Sequence, residues 1–330
     1  MNLMATGDHH LDAHVRRRWR RRLLTWYDRN RRDLPWRQNR DPYRVWLSEI
    51  MLQQTRVAAV LEHYRHFLRR FPTLQKLAAA RESSVLAAWS GLGYYRRARM
   101  LHAAAKTIVK EHKGRFPGSV TELRALPGIG RYTAAAIASI VFNTPAAVVD
   151  GNVERVLERV FAKHFSEKDL WQAAERLLSR TRPGDCNQAM MELGATVCLP
   201  HQPRCSVCPV FALCGTRGNL EPRKRGVRAK RRMICYGLNH RDSSIFLVQR
   251  PDHAALMPGM WELPEVSGDG AQGQPSLTLR HSITVTNYIV HVVTCPAQKE
   301  SVGQWMEKKR LPQLPLTGLT RKILRQAQVI

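Results

Sequence analysis

The sequence predicts a mainly α-helical region, residues 1–215, followed by a small α+β domain, residues 232–330. Three observations predict this. Apolar residues recur at helical spacing through most of the first region. The run at 216–231 is rich in Lys, Arg, Gly and Pro and almost devoid of apolar residues, as a linker is. Runs of β-branched and aromatic residues, typical of strands, follow it.

The net charge of the chain indicates what kind of partner it binds. Lys and Arg number 53 and Asp and Glu 26, a formal net charge of +27. Such an excess indicates a polyanion, most simply nucleic acid, with a membrane surface as the alternative. No apolar run reaches the length of a membrane span. The N-terminus lacks the apolar core of a secretory signal, so we expect an intracellular protein without a disulfide framework.

The first two predicted helices are an Arg-dense amphipathic helix at 15–32 and a helix at 43–55. Asp41 and Pro42 start the second one, as N-cap and first helical residue. Glu49 lies in its middle, with Trp46 one turn before and Gln53 one turn after. A carboxyl desolvated in this way has a raised pKa, which suits a general acid. The alternative is a surface Glu paired with an Arg.

Further helices are predicted within 57–112, including one at 94–112 that begins with two tyrosines. Ser119 and Glu122 have the spacing of a capping box. Next comes a tight hairpin with Gly128 and Gly130, and a helix that begins near Arg131. Glycine tolerates the positive φ of such a turn, and the unpaired amides of the following helix offer a site for phosphate.

Asp150 stands directly before another helix, whose apolar face runs from Val153 to Phe161. Taken alone, an Asp in this place is most simply an N-cap. A helix around 169–179, a turn at Pro183-Gly184 and a helix at 186–198 follow.

Four cysteines are packed into a short loop: Cys198, Cys205, Cys208 and Cys214. Four thiolates so close together predict a metal centre. Zinc and an iron–sulfur cluster both take four cysteine ligands, and the spacing does not choose between them. Four unrelated packed thiols are the alternative. Cys186, Cys235 and Cys295 are expected to be buried packing residues. In the α+β domain we predict strands at 234–240, 244–250 and 282–295 and a helix at 319–329.

Seven motifs occur in one order: LPWR, WLSEIMLQQT, GLGYYRRAR, LPGIGRYTA, VVDGNVERV, NQAMMELGA and the four-cysteine loop. Together they resemble the MutY-type adenine DNA glycosylases of the helix–hairpin–helix GPD superfamily, strongly over 16–215 and weakly over 232–330. The resemblance implies a six-helix barrel at about 43–147, a cluster domain from 1–42 plus 148–215, and a Nudix-like 8-oxoguanine recognition domain at 232–330.

The resemblance also implies a chemistry. Glu49 matches the general acid that protonates adenine and later helps to activate water. Asp150 matches the carboxylate that stabilises positive charge on the sugar, and Asn152 a residue that holds that site. Tyr132 stands where bifunctional relatives carry a lysine that forms a Schiff base. Tyr cannot form one, so we expect a monofunctional enzyme that leaves an abasic site.

DNA contacts and a cofactor are implied as well. Gln53 and Gln54 match residues inserted near the flipped base, and Tyr94 a residue inserted beside the opposite base. Adenine opposite 8-oxoguanine or guanine is the implied substrate, a [4Fe–4S] cluster the implied cofactor and a monomer the implied state. The remaining expected DNA contacts are Arg99, Gly128, Gly130, Arg131 and Arg204.

The implied recognition loop departs from the family. Relatives carry Phe-Ser-His where this chain has Ile-Thr-Val after His281 and Ser282. Thr284 can replace the Ser hydroxyl, whereas Val285 cannot replace His. The acidic helix of Nudix hydrolases is absent, so recognition without pyrophosphatase activity is expected. Two rival functions are a T·G mismatch glycosylase of the same fold and a catalytically inactive DNA-binding protein.

Overall fold

The computed structural model describes residues 12–221, 230–266, 274–283, 286–294 and 303–330. These residues form two compact units. The first consists of the described residues within Met1–Gln53 and Lys110–Arg223, and the second of those within Gln54–Val109 and Lys224–Ile330. None of the helices in the described ranges has the length and apolarity needed to cross a membrane.

The first unit is helical. Its helices are α1 (Ala13–Asn30), α2 (Pro42–Leu52), α7 (Val120–Ala125), α8 (Arg131–Phe142), α9 (Gly151–Phe161), α10 (Glu167–Leu177) and α11 (Pro183–Thr196). Short 3₁₀ turns occur at Pro35–Arg37 and, in the cysteine loop, at Cys205–Val207 and Phe211–Leu213.

Side-chain caps explain where several of these helices begin. Asp41 accepts a hydrogen bond from the amide of Arg44 and Pro42 opens α2, as predicted. Ser119 caps α7 by accepting from the amide of Glu122, and its hydroxyl donates to the Glu122 carboxylate, so the predicted N-cap is confirmed. Helix α8 has no side-chain cap, because Gly130 occupies its N-cap position.

The core of this unit forms where α1, α9, α10 and α11 pack together. Trp19 and Leu23 of α1 are fully buried there with Leu157 of α9 and Ala189 of α11. A second cluster joins α2 to α8 through Val45, Ala135 and Ala136.

Two glycines set how closely α11 approaches its neighbours. A Cβ on Gly184 would lie 2.6 Å from the backbone of Ile140 in α8. A Cβ on Gly194 would lie 2.6 Å from the Cβ of Asn152 in α9. Real Cβ atoms do not come this close, so only glycine lets the three helices meet.

The second unit contains helices and two small sheets. Its helices are α3 (Val57–Arg70), α4 (Leu74–Ala78), α5 (Glu82–Trp89), α6 (Arg96–Glu111) and α12 (Gly318–Gln326). Its strands are β1 (Lys230–Gly237), β2 (His240–Arg241), β3 (Ser244–Gln249), β4 (Trp261–Glu262), β5 (Leu277–Ile283), β6 (Thr286–Val293) and β7 (Gly303–Glu307).

One sheet has the order β1-β6-β5, with β1 parallel and β5 antiparallel to β6. In the other, β3 pairs with β2, β4 and β7, all antiparallel. Apolar side chains of both sheets and of α12 make the core, among them Leu247, Val290 and Ile323. The predicted mixture of strands with a closing helix is therefore confirmed.

Four predicted element boundaries were wrong. Helix α2 ends at Leu52 and does not reach residue 55, since Gln54 has a φ of +54°. Helix α6 begins at Arg96, because Tyr94 has a φ of +49°. Pro183 and Gly184 form the first turn of α11. The run at 282–295 was predicted as one strand, but its residues are divided between β5 and β6. The division was missed because the β-branched residues of the run give no turn signal. Residues 222–229 of the predicted linker lie outside the described ranges.

Candidate active site

Glu49 is an ionisable side chain buried in the first unit. It lies in the third turn of α2 and is 6% exposed, so the alternative of a surface Glu is wrong. The hydroxyl of Tyr132, in the first turn of α8, donates a hydrogen bond of 2.9 Å to its Oε2. Burial raises the pKa of Glu49 to about 7, with a further contribution from the negative charge of Asp150. A carboxyl with this pKa is half protonated near neutral pH, as a general acid requires.

Asp150 caps α9 and is half-buried. Its Oδ1 accepts hydrogen bonds from the amides of Asn152 (2.9 Å) and Val153 (2.8 Å), and its Oδ2 accepts one of 3.0 Å from the side chain of Asn152. The capping alternative therefore describes its local geometry correctly. The negative charge of Asp150 also raises the pKa of Glu49.

Tyr132 contacts Glu49 directly and feels the charge of Asp150. Its hydroxyl lies 3.1 Å from the sulfur of Met191 as well as beside Glu49. Burial and the charges of Glu49 and Asp150 raise the pKa of Tyr132 well above its usual value, so this hydroxyl stays protonated. The four residues predicted as catalytic are thus brought together: a buried acid, a capped carboxylate, an amide that holds it, and a neutral phenol.

Two arginines of α9 link this site to the cysteine loop, and the sequence reasoning missed both. Arg155 donates to the side chain of Asn152 at 2.8 Å and to the carbonyl of Cys198 at 2.8 Å. Arg159 is 5% exposed and donates to the carbonyls of Leu199 and Pro200. Arg155 and Arg159 are four residues apart and therefore share one face of the helix that Asp150 caps. That spacing could have indicated them, but the prediction for this helix concerned its apolar face.

The four predicted metal-ligand cysteines line one cavity, together with Arg159, Arg204 and Arg217. Burial and the charges of the other three cysteines raise the pKa of Cys208 to about 11. Four thiolates therefore need a compensating positive charge before they can share this space.

Four cysteine thiolates can hold either of two metal groups. A single zinc ion, with Zn–S bonds of about 2.3 Å, would gather four sulfurs to about 3.8 Å from one another. Nowhere in the described ranges do three or more His, Cys, Asp or Glu side chains converge closely enough to hold one ion. An iron–sulfur cluster also takes four cysteine ligands, so the donor set by itself fits either group.

The hairpin has the predicted geometry for an anion. Gly128 has a φ of +71°, and the N-terminus of α8 is left without a side-chain cap by Gly130. The guanidinium of Arg131 lies 3.8 Å from the centre of the Trp171 ring, and 3.8 Å from a carboxylate oxygen of Glu175.

The other predicted DNA contacts divide between the units. In the first unit, the side chain of Gln53 donates to the hydroxyl of Thr133 at 3.3 Å, and Arg204 is exposed. The second unit holds Gln54, Tyr94 and Arg99. Tyr94 is 48% exposed, whereas Arg99 is paired with Glu82.

Two of the predicted lesion-recognition residues, His281 and Ser282, lie in β5. His281 is half-buried, and the hydroxyl of the exposed Ser282 donates to the Asn287 side chain at 2.7 Å. Thr284 lies outside the described residues, as does Cys295. Cys186 is buried, as expected, and Cys235 is half-buried.

A buried ion cluster near the site was also missed. Glu192 is 0% exposed and accepts hydrogen bonds from Arg32 and Arg37 at 2.7–2.9 Å. Burial alone would raise the pKa of Glu192, but the two guanidinium groups outweigh it and lower the pKa to about 2. Glu192 lies in the motif NQAMMELGA, but its pairing with Arg32 and Arg37 was not predicted.

Comparison with known proteins agrees with this geometry. The model of the HhH-GPD superfamily of base excision DNA repair proteins matches residues 47–180. The adenine DNA glycosylase of Rattus norvegicus is 50% identical over 211 residues, 59% of this chain and 41% of that protein. The adenine DNA glycosylase of Arabidopsis thaliana is 40% identical over 314 residues, 80% of this chain and 49% of that protein. The chain thus spans less than half the length of either relative.

Solved structures show the same fold. A thermostable thymine-DNA glycosylase is 30% identical with a TM-score of 0.59, covering 63% of this chain and 99% of that one. A trapped endonuclease III–DNA covalent intermediate is 22% identical with a TM-score of 0.54, covering 61% of this chain and 94% of that one. The second likeness is one of fold alone.

Proposed function

This chain belongs to the HhH-GPD superfamily of base excision DNA repair proteins, and from that premise we propose that it is a monofunctional adenine DNA glycosylase. The observation that carries the proposal is the buried Glu49, with a pKa raised to about 7, beside Tyr132 and Asp150. A protonated acid next to a fixed carboxylate is what the hydrolysis of an N-glycosidic bond needs.

The proposed reaction uses the two carboxyl groups in different ways. Glu49 gives its proton to the flipped adenine as the N-glycosidic bond breaks and the bonding electrons pass to the base. Asp150, held by Asn152, stabilises the positive charge that develops on the sugar. Water then adds to the same sugar carbon and returns a proton to Glu49. The products are free adenine and an abasic site.

Tyr132 supports a glycosylase that leaves the DNA backbone intact. A phenol carries no amine that could attack the sugar and form a Schiff base. The hydroxyl of Tyr132 is neutral and donates to Glu49. Borohydride should therefore trap no covalent complex with DNA. Trapping at the level of a lyase control would contradict the assignment.

The proposed substrate is duplex DNA with adenine opposite 8-oxoguanine or guanine. The hairpin at Gly128 and Gly130, with Arg131, is proposed to hold a phosphate, and Arg204 another. Gln53, Gln54 and Tyr94 are proposed to enter the duplex, and Arg99 to lie beside it. His281, Ser282 and Thr284 are proposed to face the opposite base, in a recognition domain formed by residues 232–330.

We also propose a [4Fe–4S] cluster held by Cys198, Cys205, Cys208 and Cys214. When bound, it would offset part of the negative charge of the four thiolates and hold in shape the loop that presents Arg204. The four cysteines that line one cavity fit either metal group, and the likeness to adenine DNA glycosylases supports the cluster over zinc. Iron and broad visible absorbance in the purified protein are expected, and zinc without iron would contradict the proposal. We infer that the enzyme acts as a monomer inside the cell, in association with DNA.

A panel of three duplexes tests the function: A opposite 8-oxoguanine, A opposite G, and T opposite G. Excision of adenine from the first two, and none of thymine, is expected. The rival T·G glycosylase is favoured by one specific observation, the likeness to a thymine-DNA glycosylase. That protein is matched by only 63% of this chain, so more than a third of the chain has no counterpart in it. Excision of thymine alone would establish the rival.

A further inference from the structure

Tyr94 lies in an unusual loop in the second unit. Three residues of the turn have left-handed backbones: Gly91 at φ +107°, Gly93 at +70° and Tyr94 itself at +49°. A bulky residue rarely adopts positive φ, and doing so costs free energy. The ring is nevertheless 48% exposed, so no burial of its own offsets this cost. Something else holds the loop in place.

The side chain of Arg97 lies at the centre of this loop. Its Nη2 donates to the hydroxyl of Thr55 at 3.2 Å and lies 3.3 Å from the carbonyl oxygens of Leu92 and Gly93. The same guanidinium lies over the Tyr94 ring, 5.4 Å from its centre. The side chain of Arg97 thus contacts the backbone of the turn, the hydroxyl of Thr55 and the exposed ring of Tyr94.

Trp89 completes the support. Its ring lies on the guanidinium of Arg97 at 5.5 Å, and its indole nitrogen donates to the carbonyl of Gly93 at 3.2 Å. Tyr95, next to Tyr94, is turned away: it is buried, and its hydroxyl donates to the carbonyl of Leu316. The loop therefore presents one tyrosine outward on a rigid base and uses the other for packing.

We propose that Arg97 is a positioning residue that holds Tyr94 outward as a platform on which a nucleobase stacks. The proposal rests on the proposed DNA substrate. An exposed aromatic ring gains stacking energy with any base, and a platform fixed before binding loses little conformational freedom when the base arrives. Arg97 acts through Tyr94 and does not itself touch the DNA.

The salt dependence of DNA binding distinguishes a positioning role of Arg97 from a direct phosphate contact. Burial lowers the pKa of Arg97 to about 10, so the group stays charged at neutral pH. Its Nη2, however, is engaged with the loop carbonyls and Thr55. A residue that neutralises a phosphate changes the slope of log affinity against log salt by about 0.9 when it is removed. Removal of Arg97 should leave that slope unchanged.

A double-mutant cycle tests the coupling. Affinity of the full-length protein for a mismatched duplex is measured for Tyr94→Ala, Arg97→Met and the double variant, with 2-aminopurine beside the mismatch to report stacking. Each single change should weaken binding about tenfold and reduce the change in fluorescence. The double variant should bind no more weakly than Tyr94→Ala alone, because Arg97 acts only through that ring.

Two further variants make the outcome decisive. Arg97→Lys keeps the charge but loses the planar guanidinium, so it should behave like Arg97→Met, and it replaces that variant if Arg97→Met does not fold. Arg96→Gln removes a charge from the exposed neighbouring residue and should leave the fluorescence change intact. Additive losses of about a hundredfold in the double variant, or a lower salt slope for Arg97→Met, would overturn the proposal. Because binding and stacking are the readouts, a failure of adenine excision would count only against the proposed function.

Discussion

Replacing Glu49 by Gln should abolish excision and, at alkaline pH, stabilise the folded protein. In the folded state the pKa of Glu49 is raised from 4.5 to about 7. The unfolded chain therefore releases this proton first as the pH rises. Any stability that the neutral carboxyl provides is complete below about pH 4.5 and is lost between that pH and 7. At higher pH, the ionised carboxylate destabilises the fold.

The size of the effect follows from the shift. A difference of 7 − 4.5 = 2.5 in pKa, at 1.36 kcal/mol per unit, corresponds to about 3 kcal/mol. Gln is neutral at every pH and retains an oxygen that accepts the hydrogen bond of Tyr132. The variant should therefore be more stable than the native protein by about 3 kcal/mol at pH 9, and by less than about 1 kcal/mol at pH 5.

Urea unfolding at pH 5, 7 and 9, followed by tryptophan fluorescence, measures the difference. Excision is measured under single-turnover conditions and DNA binding by titration, which the substitution should spare. Glu111→Gln, at an exposed position, is the matched control and should show no gain that grows with pH. A stability difference independent of pH would refute the buried-acid reasoning, and undiminished excision would refute the role of Glu49 as the acid.

Three further predictions follow from the same site. Tyr132→Phe removes a hydrogen bond that favours ionised Glu49, so the fall in the single-turnover rate at high pH should move upward by about one pH unit. Gly194→Ala drives a Cβ to 2.6 Å from that of Asn152, so excision should fall about a hundredfold while DNA binding is retained. Glu192→Gln leaves two arginines facing a neutral side chain in a buried place, and urea unfolding at pH 7 should show a loss of about 3 kcal/mol.

Each of these has an outcome that would contradict it. For Tyr132→Phe it is a pH profile that stays in place or moves downward. For Gly194→Ala it is near-native excision, with Gly118→Ala as the control, since a Cβ there meets only ordinary contacts at 3.8 Å. For Glu192→Gln it is unchanged stability. In that case the buried ion cluster would contribute no net free energy to the fold.

Helices and caps were largely predictable from the sequence, because they depend on near neighbours. The caps at Asp41 and Ser119 were predicted from residues three or four positions apart, and the structure has both. The burial of Glu49 was predicted from the apolar face it shares with Trp46. The boundary at Tyr94 was not, because a left-handed residue other than glycine leaves no local signal.

Motifs and composition were enough to indicate the family, a nucleic-acid partner and the residues that carry the proposed chemistry. The packing of the folded chain, and not its local sequence, sets which of two adjacent tyrosines is exposed: Tyr94 faces solvent and Tyr95 is buried. It also brought Tyr132 of one helix to Glu49 of another, and it joined Asn152 to the cysteine loop through Arg155. The reason is physical. Local preferences act between residues a few positions apart, whereas these contacts join residues on different elements and exist only once the helices have packed.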